Sequence, residues 1–173
     1  MNRKILRYAT VGASTLAIAA PGFALADASK DIQVAGRALT FMENGPTGPT
    51  TVGIVFDPDK PASVAEKNAI MAAIGGGYSA GAVTISGRPM EAGSLAGVKF
   101  VFITHGVDYG AVGAEARSKH IIAIGSDPGC VQSGACAMGV STDPTVQITV
   151  NHNAAAAVGA SFKAAFRMLI HEI

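Results

Sequence analysis

The chain has 173 residues, 13 basic against 12 acidic side chains, two cysteines and no tryptophan. Residues 1–26 hold three of the basic groups and none of the acidic ones, so residues 27–173 carry 10 against 12, a formal charge of −2. No basic patch or tail is present, so composition gives no support to a nucleic-acid partner, and the 147 residues from Asp27 onward suffice for one domain with its own core.

The chain opens "MNRKILRYATVGASTLAIAAPGFALADASK". Arg3, Lys4 and Arg7 precede an apolar run from Ala9 to Ala20, and Ala24-Leu25-Ala26 stands before Asp27. This is the layout of a secretory signal peptide, cleaved after Ala26. The apolar run falls short of the roughly 20 residues of a spanning helix, and no second long apolar segment follows. The expected product, residues 27–173, is a periplasmic protein with no membrane span.

"DIQVAGRALTFME" (31–43) predicts a helix, because Ile32, Ala35, Leu39 and Met42 recur at three- and four-residue spacing. "NGPTGPT" (44–50) reads as a loop and "TVGIVFD" (51–57) as a buried strand. Ser63 with Glu66 three residues on predicts a capping box for a helix ending at Gly75. "GGGYSAG" (75–81) reads as a helix cap and turn; it lacks the Lys-Ser/Thr ending of a phosphate loop and follows a helix. Strands are expected at 82–87, 98–104 and 120–127, with a helix over 108–120 between the last two. "AMGVST" and "TVQITVNH" form a hairpin around Asp143-Pro144. The rest reads as helix to the end, capped by Asn151 or Asn153 and weakened at Gly159. The alternation predicts a single α/β domain with a mainly parallel central sheet, one antiparallel edge and flanking helices.

Cys130 and Cys136 sit in "SDPGCVQSGACAMGV" (126–140), with five residues between them in a glycine-rich stretch that reads as a loop. An oxidising compartment favours a structural disulfide. Thioredoxin-type chemistry uses Cys-x-x-Cys, and a zinc site needs further ligands, which the four histidines do not supply by spacing. Both remain alternatives to the disulfide.

In a parallel sheet the loops after the strand C-termini line the ligand crevice. Three such loops stand out: "FDPDKP", "THG" (104–106) and "GSDPG" (125–129). They make His105, Asp57 and Asp127 the possible ligand-edge residues, with Asp59 beside them. The plainer reading is a histidine bonded to a loop carbonyl and Asp-Pro pairs that cap turns. No Ser-His-Asp motif, metal set or cofactor motif is recognisable. "AAAAVGASFKAAF" reads as a core helix, with a partner-binding helix as the alternative.

The C-terminal half, "IIAIGSDPGCVQSGACAMGV" followed by "VQITVNHNAAAAVGASFKAAFRML", resembles the YfiR-like family of small periplasmic proteins. Asn151, Ala154 and Gly159 fall on that family's pattern of a strand, an Asn, a short helix, a Gly and a closing helix. Cys130 and Cys136 match its cysteine-bridged loop. "GRALTFME", "TVGIVFDP", "SGRPM" and "VKFVFITHG" resemble its earlier elements, so the likeness spans residues 31–170. The chain has "MENGPTGP" in place of the family's aromatic first-helix end, and His152 where Leu is common. The resemblance implies a non-enzymatic regulator that binds the periplasmic sensor domain of an inner-membrane diguanylate cyclase and holds it off. It implies that the Cys130–Cys136 bridge keeps the repressor folded. Homodimerisation is left open. The alternative is a single-lobe periplasmic solute-binding protein, because "VGIVFDPDKPASVAEKNAIMAAI" resembles the first β-α unit of such receptors. A hydrolase or redox enzyme using His105 or the cysteines is a third reading.

Overall fold

Eight strands form one sheet in the order β2-β3-β1-β4-β5-β6-β7-β8. The computed structural model describes residues 22–173, with side chains from Asp27. The basic segment and apolar run lie outside the described residues; of the expected signal peptide only residues 22–26 are described. Those residues belong to the first helix, so the expected cleavage point lies within it.

That helix, α1 (Gly22–Leu39), buries Ile32, Ala35 and Leu39 as the spacing predicts, and Ala28 ahead of them. It starts before the predicted range and stops at Leu39, where the chain turns; Met42 is held in a bridge to Phe162 instead. Strand β1 (Gly48–Phe56) takes in the end of the predicted loop, because residues 48–51 pair with β3 (Val83–Glu91) alone. Pro49 is tolerated on that one-sided stretch.

Helix α2 (Pro61–Ile74) corrects the predicted capping box. Pro61 opens the helix, and Lys60 takes the cap position, since proline suits the first helical turn. Ser63 and Glu66 therefore lie inside the helix, on the buried stripe that continues through Ile70 and Ile74. Gly75 ends the helix with φ 54°, a conformation glycine takes at little cost. The following turn is more than a cap. Tyr78–Ala80 form β2, an antiparallel partner for β3.

Strands β4 (Phe100–Ile103) and β5 (Ile122–Gly125) are buried at every residue, as central parallel strands with covered faces must be. Helix α3 (Tyr109–Ser118) joins them, capped by the Asp108 carboxylate, which accepts from the Gly110 and Ala111 amides. A short helix, α4 (Pro128–Gln132), lies where a cysteine loop was expected, because Asp127 caps it and Pro128 opens it. Strands β6 (Met138–Ser141) and β7 (Gln147–Val150) form the predicted hairpin.

The end of the chain departs most from expectation. Helix α5 (His152–Ala157) is capped by Asn151, which accepts from the Ala154 amide, and it stops just before Gly159 at φ 74°. The backbone then turns, Phe162 enters the core, and one turn of helix, α6 (Ala164–Arg167), leads to β8 (His171–Glu172) beside β7. An aromatic stack of Phe41 on Phe166, centroids 5.0 Å apart, holds this turn against the end of α1.

Five of the seven strand pairings are parallel. The two antiparallel ones, β2–β3 and β6–β7, stand toward opposite edges rather than at one. Side chains of alternate residues divide the core. Val52, Ile54, Phe102 and Ile124 pack under α1 and α2, while Val55, Val101, Ile103 and Ala123 pack under α3 and α4. Gly113 lets α3 approach the cysteine segment; a Cβ there would lie 2.7 Å from the Ala135 Cα.

After β1 the chain crosses through α2 to β3 on one side, then returns to β4 on the other. The chain reverses direction across the sheet between β1 and β4, the kind of point outside whose strand C-termini open α/β sheets commonly take ligands.

Candidate functional site

The C-terminal ends of β1 and β4 are joined to α2 by a chain of hydrogen bonds. The Thr104 hydroxyl donates to the Val55 carbonyl, so its oxygen receives the Ser63 hydroxyl at 2.6 Å, and Ser63 in turn accepts from the Asp57 amide. Ser63 and Thr104 are fully buried. The chain ties α2 to the ends of β1 and β4 and sets the height of the next helical residue facing the sheet, Glu66.

Glu66 is buried, with 5 % of its surface exposed. Its Oε2 accepts from the backbone N–H and from Nδ1 of His105, at 2.8 and 2.9 Å, and its Oε1 accepts from the Ser126 hydroxyl at 3.2 Å. The expected bond from His105 to a loop carbonyl is thus replaced by one to a carboxylate. The Glu66 hydrogen bond raises the His105 pKa above its usual 6.5, against the opposing effect of burial, and Glu66, Asp127 and Asp31 add further favourable charge.

Asp127 follows Ser126. It caps α4 through the Gly129 amide and accepts from the Tyr109 hydroxyl at 2.6 Å. Burial pushes Asp127 up, but Tyr109, Gly129 and His105 together hold it below the ordinary carboxylate range. Burial first, and then the Asp127 contact, push the Tyr109 hydroxyl well up. Asp57 stands apart: it accepts from the Asp59 amide and pairs with Lys60 at 3.3 Å, holding the turn into α2. The structure therefore brings His105 and Asp127 together and leaves Asp57 in its turn. Among the described residues no group of three His, Cys, Asp or Glu side chains is arranged to hold a metal ion.

Beside His105 lies a pocket of about 270 Å³. Asp27 and Asp31 from α1, Glu66 from α2, His105, Ser126, and Thr142 and Asp143 from the β6–β7 turn line it. Asp31 is 4 % exposed and accepts from the Thr142 hydroxyl at 2.7 Å. Burial is the main cause that raises its pKa to about 6; the Thr142 bond opposes it, and Asp27 and Glu66 push the same way as burial.

Asp31, Glu66 and Ser126 were not among the sequence candidates. The signal for the first two was available: Glu66 lies on the Ser63–Ile70–Ile74 stripe, and Asp31 stands three residues after Ala28 and four before Ala35, so each puts a carboxyl on a buried face. Lone acids on such a stripe are rare without a partner. Ser126 left no signal of its own.

Cys130 and Cys136 form a disulfide, with their Cα atoms 5.2 Å apart and both side chains buried. It ties α4 to the segment entering β6. Among the described residues no helix is long and apolar enough to cross a membrane. Both features are compatible with an exported protein.

No protein-family model matches the chain, and no curated protein matches it. Among solved structures it is similar to a conserved domain protein from Vibrio cholerae, with a TM-score of 0.59 and 8 % identity. The match covers 84 % of this chain and 59 % of that one, so this chain spans less than two thirds of its neighbour. At that identity the likeness is one of fold.

Proposed function

We propose that the chain is a non-enzymatic periplasmic binding protein whose ligand seat is the pocket beside His105. One observation carries the reading. The carboxylate of Glu66 and the hydroxyl of Ser126 both approach the same ring nitrogen of His105, Nδ1, at 2.9 and 3.5 Å. A nucleophilic triad needs the acid and the serine on opposite nitrogens. Here Ser126 donates to Glu66 and has no separate base, while Nε2 of His105 has no partner among the described residues. This arrangement suits recognition: a ring held rigidly by one edge, with the other edge available. Hydroxyls of Ser126 and Thr142 and the surrounding carboxyl groups favour a small polar solute carrying positive charge.

A thermal-shift screen of small amines and guanidines tests this. A specific ligand raises the midpoint with the logarithm of its concentration over Kd, and the rise disappears in His105→Ala. A rise of equal size in that variant, or none with any cationic solute, sinks the reading.

Regulation of a diguanylate cyclase is the second reading, supported by the C-terminal order. Asn151 caps a short helix, Gly159 breaks it with a positive φ, and a second short helix follows, as in the YfiR-like pattern. Met168 and Leu169, 86 % and 79 % exposed, offer adjacent apolar surface to a protein partner. Cyclic di-GMP should rise when the gene is deleted and fall when it is restored; unchanged levels would remove this reading and leave the solute binder.

A further inference from the structure

We propose that the pocket beside His105 is a proton-operated charge switch, in which the His105 imidazole and the Asp31 carboxyl gain or lose protons and so set the charge that a ligand meets. The inference rests on the reading that this pocket is the ligand seat, and concerns its regulation.

Three elements bring the groups together. Asp31 comes from α1, Glu66 from α2 and His105 from the end of β4, and all three line one cavity. Two of them are carboxyl groups more than nine-tenths buried, yet neither is paired with a lysine or arginine among the described residues. The nearby lysines are committed at the rim: Lys30 pairs with Asp27, and Lys60 pairs with Asp57 and donates to the Gly106 carbonyl. Positive charge inside the pocket is therefore left to protons or to a ligand, since burying carboxyl groups without compensation is costly.

The groups around His105 act in one direction. Glu66 reaches it from α2, Asp31 from α1 and Asp127 from the turn before α4. Tyr109 of α3 is a neutral donor to Asp127, and Asp27 and Asp143 line the same cavity. Glu66, Asp127 and Asp31 each favour the His105 proton. Asp31 in turn faces Asp27 and Glu66, which favour its own proton. Asp31 is raised to about 6 and His105 is raised above 6.5, so each keeps its proton to a higher pH than the free side chain would. Acidification adds a proton to each group and makes the cavity two charges less negative. A cationic ligand then binds more weakly at the acid end and more tightly at the alkaline end.

The test is an NMR pH titration of the full chain without ligand, following the His105 ring and the Asp31 side-chain carbon. In the wild type the Asp31 midpoint lies near 6 and the His105 midpoint above 6.5. Glu66→Gln lowers the His105 midpoint by about one pH unit, the effect of removing an adjacent opposite charge. Asp31→Asn lowers it by less and leaves His171 unmoved. Should Glu66→Gln fail to fold, the wild-type midpoints and Asp31→Asn decide the matter. A His105 midpoint at or below 6.5, or one that Asp31→Asn does not move, overturns the switch. Because no ligand is present, a failed solute screen with these midpoints intact removes the binding reading alone.

Discussion

Ser63 shows how one side chain can organise a site that it does not line. It receives the Asp57 amide and donates to Thr104, whose hydroxyl continues to the Val55 carbonyl. Three backbone or hydroxyl groups at the switch point thus depend on it, inside a fully buried environment where unmet polar groups are costly. Ser63→Ala leaves the Asp57 amide without its acceptor and removes the donor to Thr104. Unfolding in urea should show a loss of about 1–3 kcal/mol, with the His105 midpoint displaced because α2 no longer holds Glu66 at its height. A loss below the lower figure would mean that water replaces the hydroxyl. Glu66 itself was legible only in part. Its spacing from Ser63 is that of a capping box, and nothing local distinguishes that use from a buried stripe until Pro61 moves the helix start.

At the scale of elements, the segment from Asp127 to Met138 depends on short-range devices. Asp127 caps α4, Pro128 opens it, and the Cys130–Cys136 bridge closes it onto the chain entering β6. The closed loop is short, so the bridge restrains the unfolded chain by only about 2 kcal/mol in the loop-entropy account. The double variant Cys130→Ser, Cys136→Ser also places two hydroxyl groups where both sulfurs are buried. The expected loss in unfolding free energy therefore exceeds that figure, and a loss well below it would show that the loop holds its shape unaided. The last element was misread for a related reason. Alanines 154–157 and the run after Lys163 have helical character, but Gly159 turns the chain. The tail is then decided by the places waiting for Phe162 and Phe166 in the core and for residues 171–172 beside β7.

The whole molecule carries the charge arrangement as a dependence of stability on pH. The folded chain holds the His105 proton more tightly than the unfolded chain does. That contribution is complete below 6.5 and is lost as pH rises through the raised folded value. The folded chain also keeps the Asp31 proton between 3.8 and about 6 while the unfolded chain releases it, so stability falls across that window too. Asp127 and Glu115 act in the opposite sense. Despite burial, their hydrogen bonds hold them below 3.8 and 4.5, so their contribution is present above those values and lost as pH falls further. The unfolding free energy should therefore decline as pH rises from 3.8 through about 6 and on past 6.5. Asp31→Asn should flatten the acid half of that decline. A thermal midpoint that climbs steadily from pH 5 to 8 would contradict the assignment of both groups.

The sequence by itself determined the α/β class, the buried central strands, most helices, the hairpin around Asp143-Pro144 and the place of His105 just after a central strand. These follow from residue spacing, β-branched runs and glycine or proline punctuation, all of which act over a few neighbours. Only the tertiary structure decided which acids meet His105. Asp31 and Glu66 lie 35 residues apart on different helices, and Thr142 is 111 residues from Asp31. Their meeting depends on the crossover that puts β3 and β4 on opposite sides of β1 and on α1 lying across the sheet toward β6. Edge pairing also decided β2 and β8, strands of three and two residues. Segments so short have no pattern of their own and take their form from the sheet edge that receives them.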